Sequence, residues 1–162
     1  MKWDLGLALI KSASQRNMKN MKDDKHFSEA ALRFVDLLTP GNFVLAKDWI
    51  SPDCKYLYGE KVLTGDSIIQ SFIANHDEAS SKLDKIEYLD SEVESIEGQT
   101  VSVIVRDKIY VQNSTHEYKD RLIITFGDHT GEHSITQIEN RRVTGEREKL
   151  LKFFDSLGME WT

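Results

Sequence analysis

The second half of this chain most narrows what it can fold into. Leu83 to Ile96, Val101 to Val111, His116 to Phe126 and about 134–143 read as strands, divided by turn chemistry at Glu97-Gly98, Asn113-Ser114 and Gly127 to Gly131. No helical period interrupts them, so the stretch predicts an antiparallel meander. The first half has a different rhythm. Phe27, Ala31, Phe34, Val35 and Leu38 follow helical spacing behind a Ser28 N-cap, with Phe27 and Leu32 placed as a hydrophobic staple and Pro40-Gly41 as a stop. Phe43 to Ile50 suggests a second, short helix before Ser51-Pro52.

Cys54, Tyr56 and Tyr58 then alternate with Lys55 and Leu57 as a strand closed by Gly59. After Thr64-Gly65-Asp66, the positions of Ile68, Ile69, Phe72 and Ile73 predict a helix ending near Asn75 or His76. A last helix is expected from Thr144, with Leu150, Leu151, Phe154 and Leu157 on one face and Gly158 as its C′ residue. Residues 1–26 carry only a ragged helical period and read as a partly helical extension.

Composition limits the partners. The 162 residues suit one domain, and 27 acidic against 21 basic residues give a net charge of -6, which opposes approach to nucleic acid. Cys54 is the only cysteine, so no intrachain disulfide can form and a cytoplasmic location is expected. Asp4 interrupts the first apolar stretch, and Gly6 to Ile10 is short for a signal peptide, so the N-terminus reads as mature protein. No window approaches the ~20 consecutive apolar residues of a membrane-spanning helix, and no membrane partner is expected.

The order helix, short helix, strand, helix and long sheet resembles the nuclear transport factor 2-like superfamily, above all its SnoaL-like and ketosteroid-isomerase-like members. The stretch SPDCKYLYGEKVLTGDSIIQSF, residues 51 to 72, is similar to that family's proline-aspartate turn, strand, short hairpin and glycine before an amphipathic helix. The likeness covers about residues 27–143, leaving 144–162 as a C-terminal helix packed on the domain or at an interface. It implies an α+β fold: a cone-shaped barrel with a curved antiparallel sheet around N-terminal helices, a small-molecule pocket and a homodimer. Members include isomerases, dehydratases, epoxide hydrolases and polyketide cyclases, and also adaptors without chemistry.

Carried over residue by residue, the ketosteroid isomerase site is absent. Its general-base aspartate falls on Tyr56, its oxyanion tyrosine on Phe34 and its protonated aspartic acid on Leu122. The period of two instead puts His116, Tyr118 and Asp120 on the face of Leu122 and Ile124. With Asn113-Ser114 as a two-residue turn, Asp107 would lie opposite Asp120, and paired carboxylates supply a general acid beside a general base. That register also opposes Arg106 to Arg121 and Lys108 to Lys119, so a register shifted by two stays open.

The expected catalytic residues are therefore Asp107, His116 and Asp120. The ligand-binding set is Phe34, Trp49, Tyr56, Tyr58, Tyr118, Leu122 and Ile124. Cys54 reads as a small buried residue and His76 as a surface or capping residue. His129 and His133 stand roughly 13 Å apart if extended, too far for one ion, and neither a metal nor another cofactor is expected. The functional reading is a small-molecule-binding domain with acid-base chemistry such as isomerisation, cyclisation, dehydration or hydrolysis on a largely apolar ligand. A non-catalytic dimeric binding or scaffold protein is the alternative.

Overall fold

A computed structural model describes residues 23–161. Most of the expected N-terminal extension, residues 1–22, lies outside that range. Helix α1 covers residues 23–36, so it is under way before Ser28. Ser28 is not its N-cap: the Ser28 hydroxyl donates back to the Asp24 carbonyl at 2.7 Å, a bond made inside a helix. Phe27, Ala30, Ala31, Phe34 and Val35 form its buried stripe.

A short helix α2, Phe43–Lys47, leads into strand β1, Ile50–Tyr58. Gly59, at φ +59°, turns the chain into β2, Lys61–Thr64. Helix α3, Ser67–Lys82, runs past the expected stop at His76. Its last turns are polar, but the Glu78–Lys82 pair at 3.5 Å, the Ser81 hydroxyl bond to the Glu78 carbonyl and the Leu83 amide bond to Ala79 hold them.

The strands β3 (Lys85–Tyr88), β4 (Glu92–Glu97), β5 (Thr100–Val111), β6 (Ser114–Phe126) and β7 (Ile135–Asn140) follow, and helix α4 is Glu146–Ser156. What read as one strand from Leu83 to Ile96 is two. β3 pairs with the far half of the long β5 and β4 with its near half, so the chain breaks direction between them.

The seven-stranded sheet has the order β2-β1-β7-β6-β5-β3, with β4 also on β5, and it stays open. Every pairing is antiparallel except β1 with β7, which departs from the expected meander. A parallel pair needs a long crossover, and β1 and β7 are joined by α3 and the whole of β3 to β6. The β1–β7 register shifts between Ile50 and Lys55, where Pro52 has no amide to donate.

The β5–β6 turn is Gln112-Asn113, at φ +50° and +63°, rather than Asn113-Ser114. This two-residue turn with both φ positive moves the register by two from the one first expected. Asp107 faces Tyr118, Asp120 faces Val105, and the Arg106–Arg121 and Lys108–Lys119 oppositions disappear. Arg106 faces Lys119, but its Nε reaches diagonally to Glu117 at 3.1 Å. Glutamine pays a steric penalty at positive φ, so replacing Gln112-Asn113 by Asn-Gly is expected to raise stability by about 1 kcal/mol. A shift of the urea midpoint to higher concentration at constant slope is the readout.

Two apolar cores sit on one face of the sheet. The larger joins α1, α2 and α3 to Tyr56, Val101, Val103, Leu122, Ile124 and Phe126. The smaller joins Phe154 of α4 to Ile109 and Val111, with Leu150, Phe153, Leu157 and Trp161 packed on it. Helix α4 ends as expected at Gly158, φ +69°, where Met159 N–H bonds the Phe154 carbonyl and Gly158 N–H bonds the Asp155 carbonyl at 3.0 Å each, a Schellman ending. The turn brings Trp161 back to stack on Phe154 at 4.5 Å between ring centroids and 5° between planes.

Candidate functional site

The inward row of β5 is Val101, Val103, Val105, Asp107, Ile109 and Val111, a single carboxyl in an aliphatic series. The inward row of β6 is His116, Tyr118, Asp120, Leu122, Ile124 and Phe126. The two cores take the ends of these rows. Between them lies a cavity of about 670 Å³, roofed by Phe72 and His76 of α3 and by Leu150 and Phe154 of α4. That volume is in the range of small-molecule sites.

Asp107 and Asp120 both line the cavity, diagonal to each other across the strand pair. Their surroundings differ. Asp107 fronts the cavity and is half-buried as a residue, yet its Oδ1 is buried and has no bonding partner among the described residues. Burial first, and the nearby Asp120 second, push its pKa up to about 6.

Asp120 is also raised by burial, but its Oδ2 accepts from Asn140 Nδ2 at 2.9 Å and its Oδ1 from the Arg121 amide at 2.8 Å. Those bonds and the Arg142 charge favour its ionised form. Burial thus favours a proton on Asp107, whereas hydrogen bonds favour the ionised form of Asp120.

Tyr56, Tyr58 and Tyr118 line the same cavity. Tyr56 packs on Phe72 at 4.8 Å and edge-on to Tyr58 at 5.8 Å. Burial raises the Tyr56 phenol and pushes Tyr118 up to about 12, so at neutral pH both are protonated and can donate a hydrogen bond. Leu122 supplies apolar wall.

The structure places the remaining expected site residues elsewhere. Phe34 and Ile124 are wholly buried in the larger core, and Trp49 packs against Phe34 at 6.3 Å. His116 is stacked under Phe153 of α4 at 5.0 Å, with its Nε2 buried and without a partner among the described residues and its pKa lowered chiefly by burial. None of these four is in the cavity lining. Cys54 is buried, as expected, and burial pushes its thiol up to about 12, far from a thiolate nucleophile.

Sequence reasoning missed His76, Tyr88, Asn140, Arg142 and Arg147, all of which line the cavity. His76 Nδ1 is bonded to the Tyr88 hydroxyl and its Nε2 to Ser80 at 3.1 Å, which fixes the ring at the cavity edge. Tyr88 faces Asp107 across the β3–β5 pair. The alternation of β3 was a usable signal for Tyr88. For His76 the signal was missing, because it depends on α3 continuing through a polar stretch. Among the described residues no group of three His, Cys, Asp or Glu is placed to hold a metal, and no helix is long and apolar enough to cross a membrane.

No protein-family model matches the sequence, and no curated protein matches it. Solved structures do match. A protein described as a SnoaL-like polyketide cyclase from Jannaschia sp. CCS1 superposes with a TM-score of 0.55 at 15% identity, covering 80% of this chain and 92% of that one. One described as a polyketide cyclase from Xanthomonas campestris pv. campestris gives a TM-score of 0.55 at 12% identity over 73% and 90%. An NTF2-like protein with a cystatin-like fold from Novosphingobium aromaticivorans gives 0.53 at 15% over 86% and 96%. These likenesses show the fold alone: an α+β cone shared with structures described as SnoaL-like and NTF2-like.

Proposed function

We propose that the chain binds a small, largely apolar molecule in the cavity between the sheet, α3 and α4, and catalyses cofactor-independent acid-base chemistry on it. The observation that carries this reading is the carboxyl pair: Asp107 unpartnered and raised to about 6, beside a hydrogen-bonded Asp120. In the proposed step Asp120 takes a proton from an acidic carbon while protonated Asp107 gives one to the carbonyl oxygen that receives the charge. Return of the proton to a different carbon gives isomerisation, and loss of a leaving group gives elimination. Tyr56 would donate a hydrogen bond to the same oxygen. The likeness to proteins described as polyketide cyclases supports a small-molecule ligand.

Native mass spectrometry of freshly purified protein tests the binding claim. The expected spectrum is a dimer carrying a reproducible small-molecule adduct, which Val105→Trp removes by filling the cavity while the fold survives. An adduct that persists in Val105→Trp would place the ligand elsewhere. With the compound identified, Asp120→Asn is expected to lower kcat at least ~100-fold with little change in affinity. Unchanged turnover would overturn the role of Asp120.

A further inference from the structure

Three side chains that line the cavity carry hydrogen-bond donors with no acceptor among the described residues. Arg142 follows β7, Arg147 stands in the first turn of α4 and Tyr118 belongs to β6; all three line the cavity. Both guanidinium charges act on the Tyr118 phenol, opposing the rise that burial causes. Among the described residues neither arginine belongs to an ion pair, whereas Arg106, Arg121 and Arg141 each have a glutamate. Arg142 favours the ionised form of Asp120 by its charge but makes no hydrogen bond to it: the bonds to the two carboxylate oxygens come from Asn140 and the Arg121 amide.

We infer that Tyr118, Arg142 and Arg147 form a carboxylate-binding subsite, and that the ligand is an apolar molecule ending in a carboxylate. Planar guanidinium forks match a carboxylate, and a phenol adds a third donor. A single negative charge fits better than a phosphate dianion, since Asp36, Glu78 and Asp90 also line the cavity and repel added charge. The apolar body would lie along Phe72, Val105, Leu122 and Phe154, with its polar centre beside Asp107 and Asp120. This inference rests on the proposed small-molecule pocket and adds the ligand's class. It gives α4 a second task, because Arg147 comes from the helix that also closes the cavity.

Calorimetric binding of 1-naphthaleneacetate and of its neutral amide, to the full chain and to an R142Q/R147Q variant, tests it. The acid is expected to bind the unchanged protein at least ~10-fold more tightly than the amide, in line with charge-assisted bonds of ~1.5 kcal/mol or more. In R142Q/R147Q the acid should fall to the affinity of the amide, and the amide should bind as before. Both arginines are exposed, so an unchanged melting temperature is the expected folding control. Equal binding of acid and amide to the unchanged protein, or a preference for the acid that survives in the variant, would overturn the subsite and leave the pocket standing. Failure of both probes to bind at millimolar concentration would overturn the pocket reading itself, and the subsite with it.

Discussion

Replacing Phe154 with alanine is expected to cost about 3 to 5 kcal/mol of stability, the usual range for removing a large aromatic from a packed interior. Phe154 is 1% exposed although it belongs to the last helix. Its ring stacks on Trp161, meets Phe153 at 5.4 Å and packs with Ile109 and Val111 on the sheet. A peripheral helix would not concentrate so much burial on one side chain. The substitution also strips the cavity of a wall residue and unseats Leu150 and Trp161, which line it too. Urea denaturation is the measurement, and a loss below about 1 kcal/mol would mean that α4 is an ornament on a domain that closes without it.

The second large effect reverses the usual direction: Asp107→Asn should make the protein more stable at neutral pH. Asp107 has a folded-state pKa raised from 3.8 to about 6, so the folded protein binds this proton more tightly than the unfolded chain does. Its carboxyl costs nothing below about pH 4, where it is protonated in both states. As pH rises from about 4 through about 6 the cost grows, to at most about 3 kcal/mol, less whatever water in the cavity relieves. Asparagine carries no titration. Denaturation between pH 4 and 8 should show the variant gaining on the unchanged protein across that window, then a constant gap above it. Parallel stability curves would mean that Asp107 is ordinarily solvated. A position that sacrifices stability for an unpartnered acid is what a functional site predicts.

Much of this architecture was legible because burial on one face of a sheet or helix leaves a period in the sequence. Val101 to Val111 and His116 to Phe126 read as strands, and Phe34 with Val35 as a helix face, for that reason. Register was less legible. It turned on whether Gln112 would accept positive φ, which a glycine or asparagine advertises and a glutamine does not. The two like-charge oppositions of the unshifted pairing were the available clue; the observed pairing keeps one, Arg106 opposite Lys119, and sets Lys108 against Glu117.

The site was half legible. Asp107, Tyr118 and Asp120 followed from alternation, since a carboxyl in a row of valines stands out whichever register holds. Phe34, Trp49 and Ile124 did not reach the cavity, because an apolar face does not reveal where packed core ends and open space begins. His116 went astray for a related reason: α4, positioned by tertiary packing alone, covers it with Phe153. The same docking brings in Arg147, a residue on the polar side of a helix whose location no local pattern encodes.

Carbon-detected NMR titration of the Asp107 and Asp120 carboxyls, assigned through the Asp107→Asn and Asp120→Asn variants, tests the proposed acid-base site most directly. The account predicts a coupled pair, with Asp107 titrating near 6 and shifting downward when Asp120 is neutralised. Two independent titrations near the ordinary aspartate value of about 4 would contradict it.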